Sequence, residues 1–355
     1  MKKELWKGNE AIAQAAIRAG CNCFFGYPIT PQNEIPEYMS LHLPKAGGVF
    51  VQSESELAAI NMVYGAAASG KRAMTSSSSP GVSLKQEGIS FLACAELPAV
   101  IVNVMRGGPG LGSIQPSQAD YFQATRGGGN GDYRTIVLAP CNIQEAVDLT
   151  QDAFDLADRY RNPVVLLADG MIGQMMEPIQ WSDRPRPPLP EKPWAASGRR
   201  GRAHNNFITS LLIDAPDCER HNRAMQEKYD RIQEQEIRWQ ERNTADCEIL
   251  LVAYGTPARI AMTAVEQLRA RGIAAGLFRP ITLWPFPDKP LAHLAAQERV
   301  KAVLTVEMSL GQMVDDVRLA VNGAKPVHFY GRSGGITPTV AEIVAAAEQV
   351  LKGGK

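Results

Sequence analysis

Short, almost continuous apolar runs alternate along this chain with stretches whose apolar residues recur every three or four positions. From Glu10 to Arg18 the pattern is helical, with Ile12, Ala16 and Ala19 on one face and Gly20 placed to end the helix. CNCFFGYP then reads as a strand running into a turn, and GVFVQ, KRAMTS, PAVIVNV, TIVLAP and PVVLLAD continue the rhythm with helical or Gly-rich stretches between them. Such runs, separated by helices, imply a parallel sheet covered on both faces. The pattern breaks after Trp181, where RPRPPLPEKP places five prolines between Pro185 and Pro193, which no helix or central strand tolerates. Half of the residues from Glu219 to Arg242 are charged, yet Met225, Tyr229, Ile232 and Trp239 keep a helical stripe, which predicts a solvated helix with one packed face. From Glu248 a second alternation begins: EILLVAYG, a helix from about Thr256 to Ala270 ended by Gly272, then IAAGLFR, KAVLTVE and PVHFYG. The expected division is an α/β domain over 1–182, a Pro-rich strap and charged helix over 183–245, and a smaller α/β domain over 246–355, both domains doubly wound.

Length agrees with two domains, because 355 residues at 38.6 kDa exceed what one core usually supports. Lys plus Arg is 37 and Asp plus Glu is 37, so no net field draws in a phosphate backbone or an anionic membrane surface. Nucleic acid is excluded as a partner on this ground. The cysteines Cys21, Cys23, Cys94, Cys141, Cys218 and Cys247 form one CxC and no CxxC, the pattern of scattered thiols in a reducing compartment rather than of a metal or iron–sulfur site. No apolar stretch is long enough for a membrane span, and Lys7, Asn9, Glu10, Gln14 and Arg18 interrupt the first segment, which argues against a signal peptide. A soluble, cytoplasmic protein is expected.

In a doubly wound sheet, ligands bind beyond the C-terminal ends of the strands. Four loops there carry candidate chemistry. In Tyr27-Pro28-Ile29-Thr30-Pro31, Thr30 reads as an N-cap with Pro31 at the first helical position, and the same helix start suits a carboxylate. In Gln52-Ser53-Glu54-Ser55-Glu56, Ser53 and Glu56 fit a capping box; the nearly uncharged helix after them also gives Glu56 the low-dielectric surroundings of an acid–base group. Thr75 to Gly81 reads as a polar loop whose hydroxyls and amides line a cofactor or merely cap a helix. Arg106 opens RGGPGLG, whose glycines miss the dinucleotide spacing because position 113 is Ser113; its guanidinium is either a carboxylate grip or a surface residue.

These residues, in this order, resemble the α subunit of the thiamine diphosphate-dependent 2-oxoacid:ferredoxin oxidoreductases. YPITP, QSESELAAINMVYGAAASGKRAMTSSSSPG and NVMRGGPGLGSIQPSQAD look like the family's signature segments, and the likeness continues through EILLVAYGT, LFRPITLWPFP and VEMSLGQM. ESELAAINMVYGAAA and TSSSSPGVSLKQEGISF look most like the branched-chain type, which acts on 3-methyl-2-oxobutanoate (2-ketoisovalerate). The resemblance implies a pyrimidine-binding domain followed by a transketolase C-terminal-like domain, and an enzyme converting a branched 2-oxoacid, coenzyme A and oxidised ferredoxin to acyl-CoA, carbon dioxide and reduced ferredoxin. It implies Glu56 as the carboxylate on N1′ of the aminopyrimidine, Pro28, Ile29, Ser78 and Ser79 as further cofactor contacts, and Thr30 and Arg106 as substrate contacts. Protonating N1′ makes the 4′-amino group basic enough to take the thiazolium C2 proton, and the thiazolium serves as electron sink.

The partner subunit's GDG motif with its later asparagine is missing; only Ala168-Asp169-Gly170 and Gly131-Asp132-Tyr133 come near it. No metal is therefore expected on this chain. A β subunit is expected to hold Mg²⁺ and the diphosphate, with [4Fe-4S] clusters on β or a ferredoxin-like subunit and a separate γ subunit completing the complex. Two alternatives stand beside this reading. One is the same chemistry on 2-oxoglutarate or pyruvate, in which Arg126 or Lys85 meets a second carboxylate; the other is a non-catalytic scaffold subunit in which Glu56 is only a helix cap.

Overall fold

The computed structural model describes residues 3–182 and 188–353, so Pro185 and Pro187 of the strap lie outside the described residues. Its larger sheet runs Ile136–Leu138, Pro163–Asp169, Ala99–Gly107, Ala73–Ser77, Cys23–Gly26, Val49–Gln52, all parallel. Every residue of the four middle strands is buried, which is why they read as unbroken apolar runs rather than as alternation. Chain direction decides where a ligand can enter this sheet. The connection leaving Cys23–Gly26 leads to Val49–Gln52 on one side, whereas that leaving Ala73–Ser77 leads to Ala99–Gly107 on the other. The order reverses between these two neighbours, and a crevice opens at their C-terminal ends. Crossovers of the usual right hand put the helices Glu56–Ala68 and Gln86–Cys94, which pack together, on one face and Ile143–Tyr160 on the other, where Gly8–Arg18 packs against it.

The smaller sheet runs Trp239–Arg242, Ala275–Pro280, Ile249–Val252, Ala302–Glu307, Val327–Gly331, with the first strand antiparallel and the rest parallel. Its core gathers Ile249, Leu251, Val265, Leu277 and Val306. The charged helix spans Ala215–Gln235 and buries Met225, Tyr229 and Ile232, as the stripe predicts. Trp239 does not extend that stripe. It lies in the edge strand Trp239–Arg242, where pairing with Ala275–Pro280 outweighs helical spacing. Conversely, Thr282–Trp284 leaves the smaller unit and closes the edge of the larger sheet against Ile136–Leu138.

The two sheets are joined by buried hydrogen bonds. Asp169 Oδ1 accepts from Thr256 Oγ1 (2.7 Å) and Asp169 Oδ2 from Thr256 N (3.1 Å), while Gln118 bonds Tyr254 O (2.9 Å) and the amide of Met308 (3.0 Å). Gln312 answers from the other side, donating to Ala119 O (2.7 Å) and accepting from Phe122 N (2.8 Å). Among the described residues no helix is long and apolar enough to cross a membrane.

Candidate active site

Glu56 opens the helix Glu56–Ala68 at the mouth of the crevice. The expected capping box is absent. Ser55, not Ser53, is the N-cap, its Oγ accepting from Ala58 N at 3.2 Å, and the Ser53 hydroxyl is taken up by the carbonyls of Gly26 (3.1 Å) and Ser55 (2.9 Å). Helix winding thus begins two residues later than the box requires, and the Glu56 side chain is released from capping. It is 6% exposed, and its carboxylate accepts no hydrogen bond from any described residue.

The strand Ala73–Ser77 runs further than expected, because Ala73 to Ser77 pair in continuous register with Ala99 to Asn103. Thr75, Ser76 and Ser77 therefore belong to the strand, and only Ser78 bridges to the short helix Ser79–Ser83. Ser77 and Ser78 are fully buried, and the hydroxyl of each lacks a partner among the described residues. Buried hydroxyls are almost always paired, so the orphan hydroxyl of Ser77, which shares the space over Gly81 with the Glu56 carboxylate, marks a place prepared for a polar ligand. A Cβ on Gly81 would collide with Ser77 Oγ and Glu56 Oε1, so glycine keeps the floor between them open.

Thr30 is not the helix cap. The helix begins at Glu34, with Pro36 in the first turn where its missing N–H is not needed. The Pro31 carbonyl, which a helix starting there would use, accepts instead from Asn9 Nδ2 and Gln174 Nε2, both at 2.7 Å. Tertiary contacts thus hold 27–33 as a loop, with Pro28 and Thr30 exposed and Ile29 half-buried. Thr30 borders a cleft of about 350 Å³ that also meets Ile114, Pro116, Met171 and Gln174.

Arg106 is no surface residue; it is 8% exposed. Its Nη1 donates to Thr30 O and its Nη2 to Leu111 O, each at 2.9 Å, and its buried Nε has no partner among the described residues. Ser79 Oγ donates to Asp120 Oδ2 (2.6 Å) and accepts from Arg106 N (3.0 Å), and Asn103 Nδ2 donates to the same Asp120 oxygen (2.9 Å). Burial raises the Asp120 carboxyl above the ordinary range, with the bonds from Ser79 and Asn103 acting against that. A continuous path therefore joins Thr30, Arg106, Ser79 and Ser78 to Ser77 and Glu56. Thr30, Glu56, Ser78, Ser79 and Arg106 thus stand at one end of one sheet, and Pro28 and Ile29 precede Thr30 in its loop.

Sequence reasoning missed four supporting residues. Gln32, fully buried, accepts from Ser76 Oγ at 2.5 Å and ties the two loops of the crevice. Asn103 was visible as the polar intruder in AVIVNV. Asp120 and Gly81 gave no signal beyond their place in the signature segments. For the two residues weighed as a second carboxylate grip, Arg126 pairs with Asp316 (2.7 Å) and Lys85 is fully buried on Thr75 (2.9 Å).

Comparison with known proteins divides the chain near residue 245, so the edge strand Trp239–Arg242 of the smaller sheet falls in the first matched range and Thr282–Trp284 of the larger sheet in the second. Residues 14–244 match the family described as pyruvate flavodoxin/ferredoxin oxidoreductase, thiamine diphosphate-binding, and residues 247–343 match the pyruvate:ferredoxin oxidoreductase core domain II. The chain is 51% identical over 350 residues to the ketoisovalerate oxidoreductase subunit VorB of Methanothermobacter marburgensis, covering 99% of this chain and 98% of that one. It is 40% identical to the 2-oxoglutarate synthase subunit KorA of Methanothermobacter thermautotrophicus, covering 93% and 94%. Among solved structures, a 2-oxoglutarate:ferredoxin oxidoreductase from Magnetococcus marinus, bound to 2-oxoglutarate, coenzyme A and succinyl-CoA, superposes with a TM-score of 0.84 at 26% identity. That match covers 98% of this chain but 65% of the other.

Proposed function

The chain belongs to the pyruvate flavodoxin/ferredoxin oxidoreductase family, an α-type subunit of a 2-oxoacid:ferredoxin oxidoreductase, and from that premise we propose that it converts 3-methyl-2-oxobutanoate within a multisubunit complex. The observation that carries the reading is Glu56: a buried carboxylate that accepts no hydrogen bond from any described residue, at the switch point of the sheet, beside the orphaned hydroxyl of Ser77. A capping glutamate would be committed to its own backbone. This one is left for a ligand donor, and the residues around it fit the aminopyrimidine half of thiamine diphosphate.

When bound, thiamine diphosphate supplies a thiazolium that accepts the electron pair released on decarboxylation. Glu56 holds and passes a proton at its carboxyl oxygens to a ring nitrogen, Ser77 and Ser78 offer hydroxyls, and Gly81 keeps the approach clear of side chain. In this reading Pro28, Ile29 and Ser79 contact the cofactor through the loops at the same strand ends, Ser79 with its hydroxyl held by Asp120. Arg106, held by Thr30 O and Leu111 O, keeps its buried Nε–H without a partner among the described residues for the substrate carboxylate, with Thr30 at the cleft entrance. A branched apolar side chain needs no second cation. Accordingly, the Arg126–Asp316 pair and the burial of Lys85 favour this substrate over 2-oxoglutarate.

The diphosphate half of the site, Mg²⁺ and [4Fe-4S] clusters belong in this reading to a β subunit and a ferredoxin-like subunit, with a γ subunit, coenzyme A and ferredoxin completing the reaction. The test is turnover by the assembled complex. Rates on 3-methyl-2-oxobutanoate should exceed those on 2-oxoglutarate, and preference for the dicarboxylate would overturn the substrate assignment. Glu56→Gln, which preserves shape but cannot act as a carboxylic acid, should lower kcat by about 10²–10⁴-fold, the usual worth of a positioned proton-transfer group. Full turnover by that variant would leave the chain a scaffold.

A further inference from the structure

Beneath the crevice lies a buried charge that the proposed chemistry does not use. Lys85 follows the short helix Ser79–Ser83 and is fully buried, and its Nζ donates to Thr75 Oγ1 at 2.9 Å, its one hydrogen bond among the described residues. Thr75 and Ser77 stand two residues apart on one strand, so their side chains leave the same face of the sheet about 6–7 Å apart. Ser77 Oγ and Glu56 Oε1 in turn crowd the space that Gly81 leaves empty. Ammonium and carboxylate therefore meet one sheet face at successive positions, Lys85 over Thr75 and Glu56 over Ser77, under the same 79–85 segment.

A buried ammonium with a single hydrogen bond is expensive to hold, and a methionine of similar length would fill the space at lower cost. The groups facing it are few. The strand offers the neutral Thr75 and Ser77, the helix Glu56–Ala68 offers Glu56, and no other charged described residue acts on it appreciably.

We propose that Lys85 is a positioning residue acting through Glu56: its ammonium stabilises the carboxylate left when Glu56 gives its proton to the cofactor ring nitrogen, and so favours that transfer. The proton moves from the Glu56 carboxyl to the ring nitrogen, and Lys85 keeps its own. This rests on the thiamine diphosphate reading of the site. Burial pushes the Lys85 amine down to about 8, with the Glu56 carboxylate acting in the opposite direction. The group thus sheds its charge just above neutrality, where an exposed lysine retains it.

Two measurements on Lys85→Met and Lys85→Gln decide the matter, the second variant keeping a donor for Thr75 without the charge. The first is thermal unfolding of the full chain against pH. An unfolded lysine binds its proton up to an ordinary value of 10.5, so wild-type stability rises relative to both variants between about pH 8 and 10.5. In a Glu56→Gln background the rise should begin at lower pH, since the supporting carboxylate is gone; an unmoved onset, or variants that rise like wild type, overturns the coupling. The second is kcat/KM of the assembled complex from about pH 6 to 9.5. Wild type should fall above about pH 8, while both variants should lose about tenfold near neutrality, one pKa unit's worth of charge interaction, and show no such fall. Recovery of the wild-type profile by Lys85→Gln would make the residue structural and end the proposal. Should Glu56→Gln itself retain full turnover, the cofactor reading fails, yet the unfolding measurement still reports whether the two residues are coupled.

Discussion

At Gly81 the chain has no room for even a methyl group, because a Cβ there would meet Ser77 Oγ and both Oε1 and Cδ of Glu56. Gly81→Ala must therefore displace the Glu56 carboxylate or the short helix that follows Ser78. Overpacking of this kind costs on the order of 1–3 kcal/mol. The expected outcome is a folded chain whose assembled complex retains less thiamine diphosphate after gel filtration and turns over at least about tenfold more slowly. A complex that keeps its cofactor and its rate would show that nothing binds over Gly81. Residues at this scale were unevenly legible. Glu56 stood out because an acid preceded an almost uncharged helix, but whether it capped that helix depended on whether Ser53 or Ser55 began it, a choice made by the carbonyls of Gly26 and Ser55. Gln32 and Lys85 could not be assigned, because each is a polar residue whose meaning lies in a partner on another element.

Single elements show the same division between local and distant causes. The helix Met313–Val321 has no N-cap side chain of its own; its first amides are met by Glu307, a fully buried carboxylate at the end of the preceding strand. Glu307 accepts from the amides of Gln312 (3.2 Å), Met313 (3.0 Å) and Val314 (2.9 Å) and from Ser309 Oγ (2.9 Å). Glu307→Ala would leave these donors buried and unpaired at a cost of about 2–4 kcal/mol, read as a lowered midpoint in denaturant unfolding, with Glu307→Gln between the two. No shift of the midpoint would mean that water replaces the carboxylate. VEMSLGQM shows no such cap by spacing, since the cap precedes the helix by more than one turn. The start of the helix at Glu34 rather than Pro31 has a like cause, Asn9 and Gln174 having claimed the carbonyl that local rules would give to the helix.

Across the whole molecule, the site depends on how the two sheets meet. Gln118, Tyr121 and Gln312 clamp the segment that carries Asp120, and Asp120 holds Ser79 and Asn103 beneath the crevice. Asp169→Asn would turn an amide group toward Thr256 N–H and cost about 1–3 kcal/mol; denaturant unfolding should show a lower midpoint and, if the sheets then part first, a second transition. A single transition at the wild-type midpoint would count against Asp169 as a joint between them. The sequence alone determined the elements and their class, because four buried strands need continuous apolar runs and packed helices need their three-to-four spacing, and both requirements are local. It also put Thr30, Glu56, Ser78, Ser79 and Arg106 at strand ends. Only the tertiary structure decided which of them are committed and which are free. That outcome turns on whether each polar atom finds a hydrogen-bond partner far along the chain: Arg106 gives two donors to carbonyls of other loops, while the hydroxyls of Ser77 and Ser78 have no partner and Glu56 accepts no hydrogen bond among the described residues.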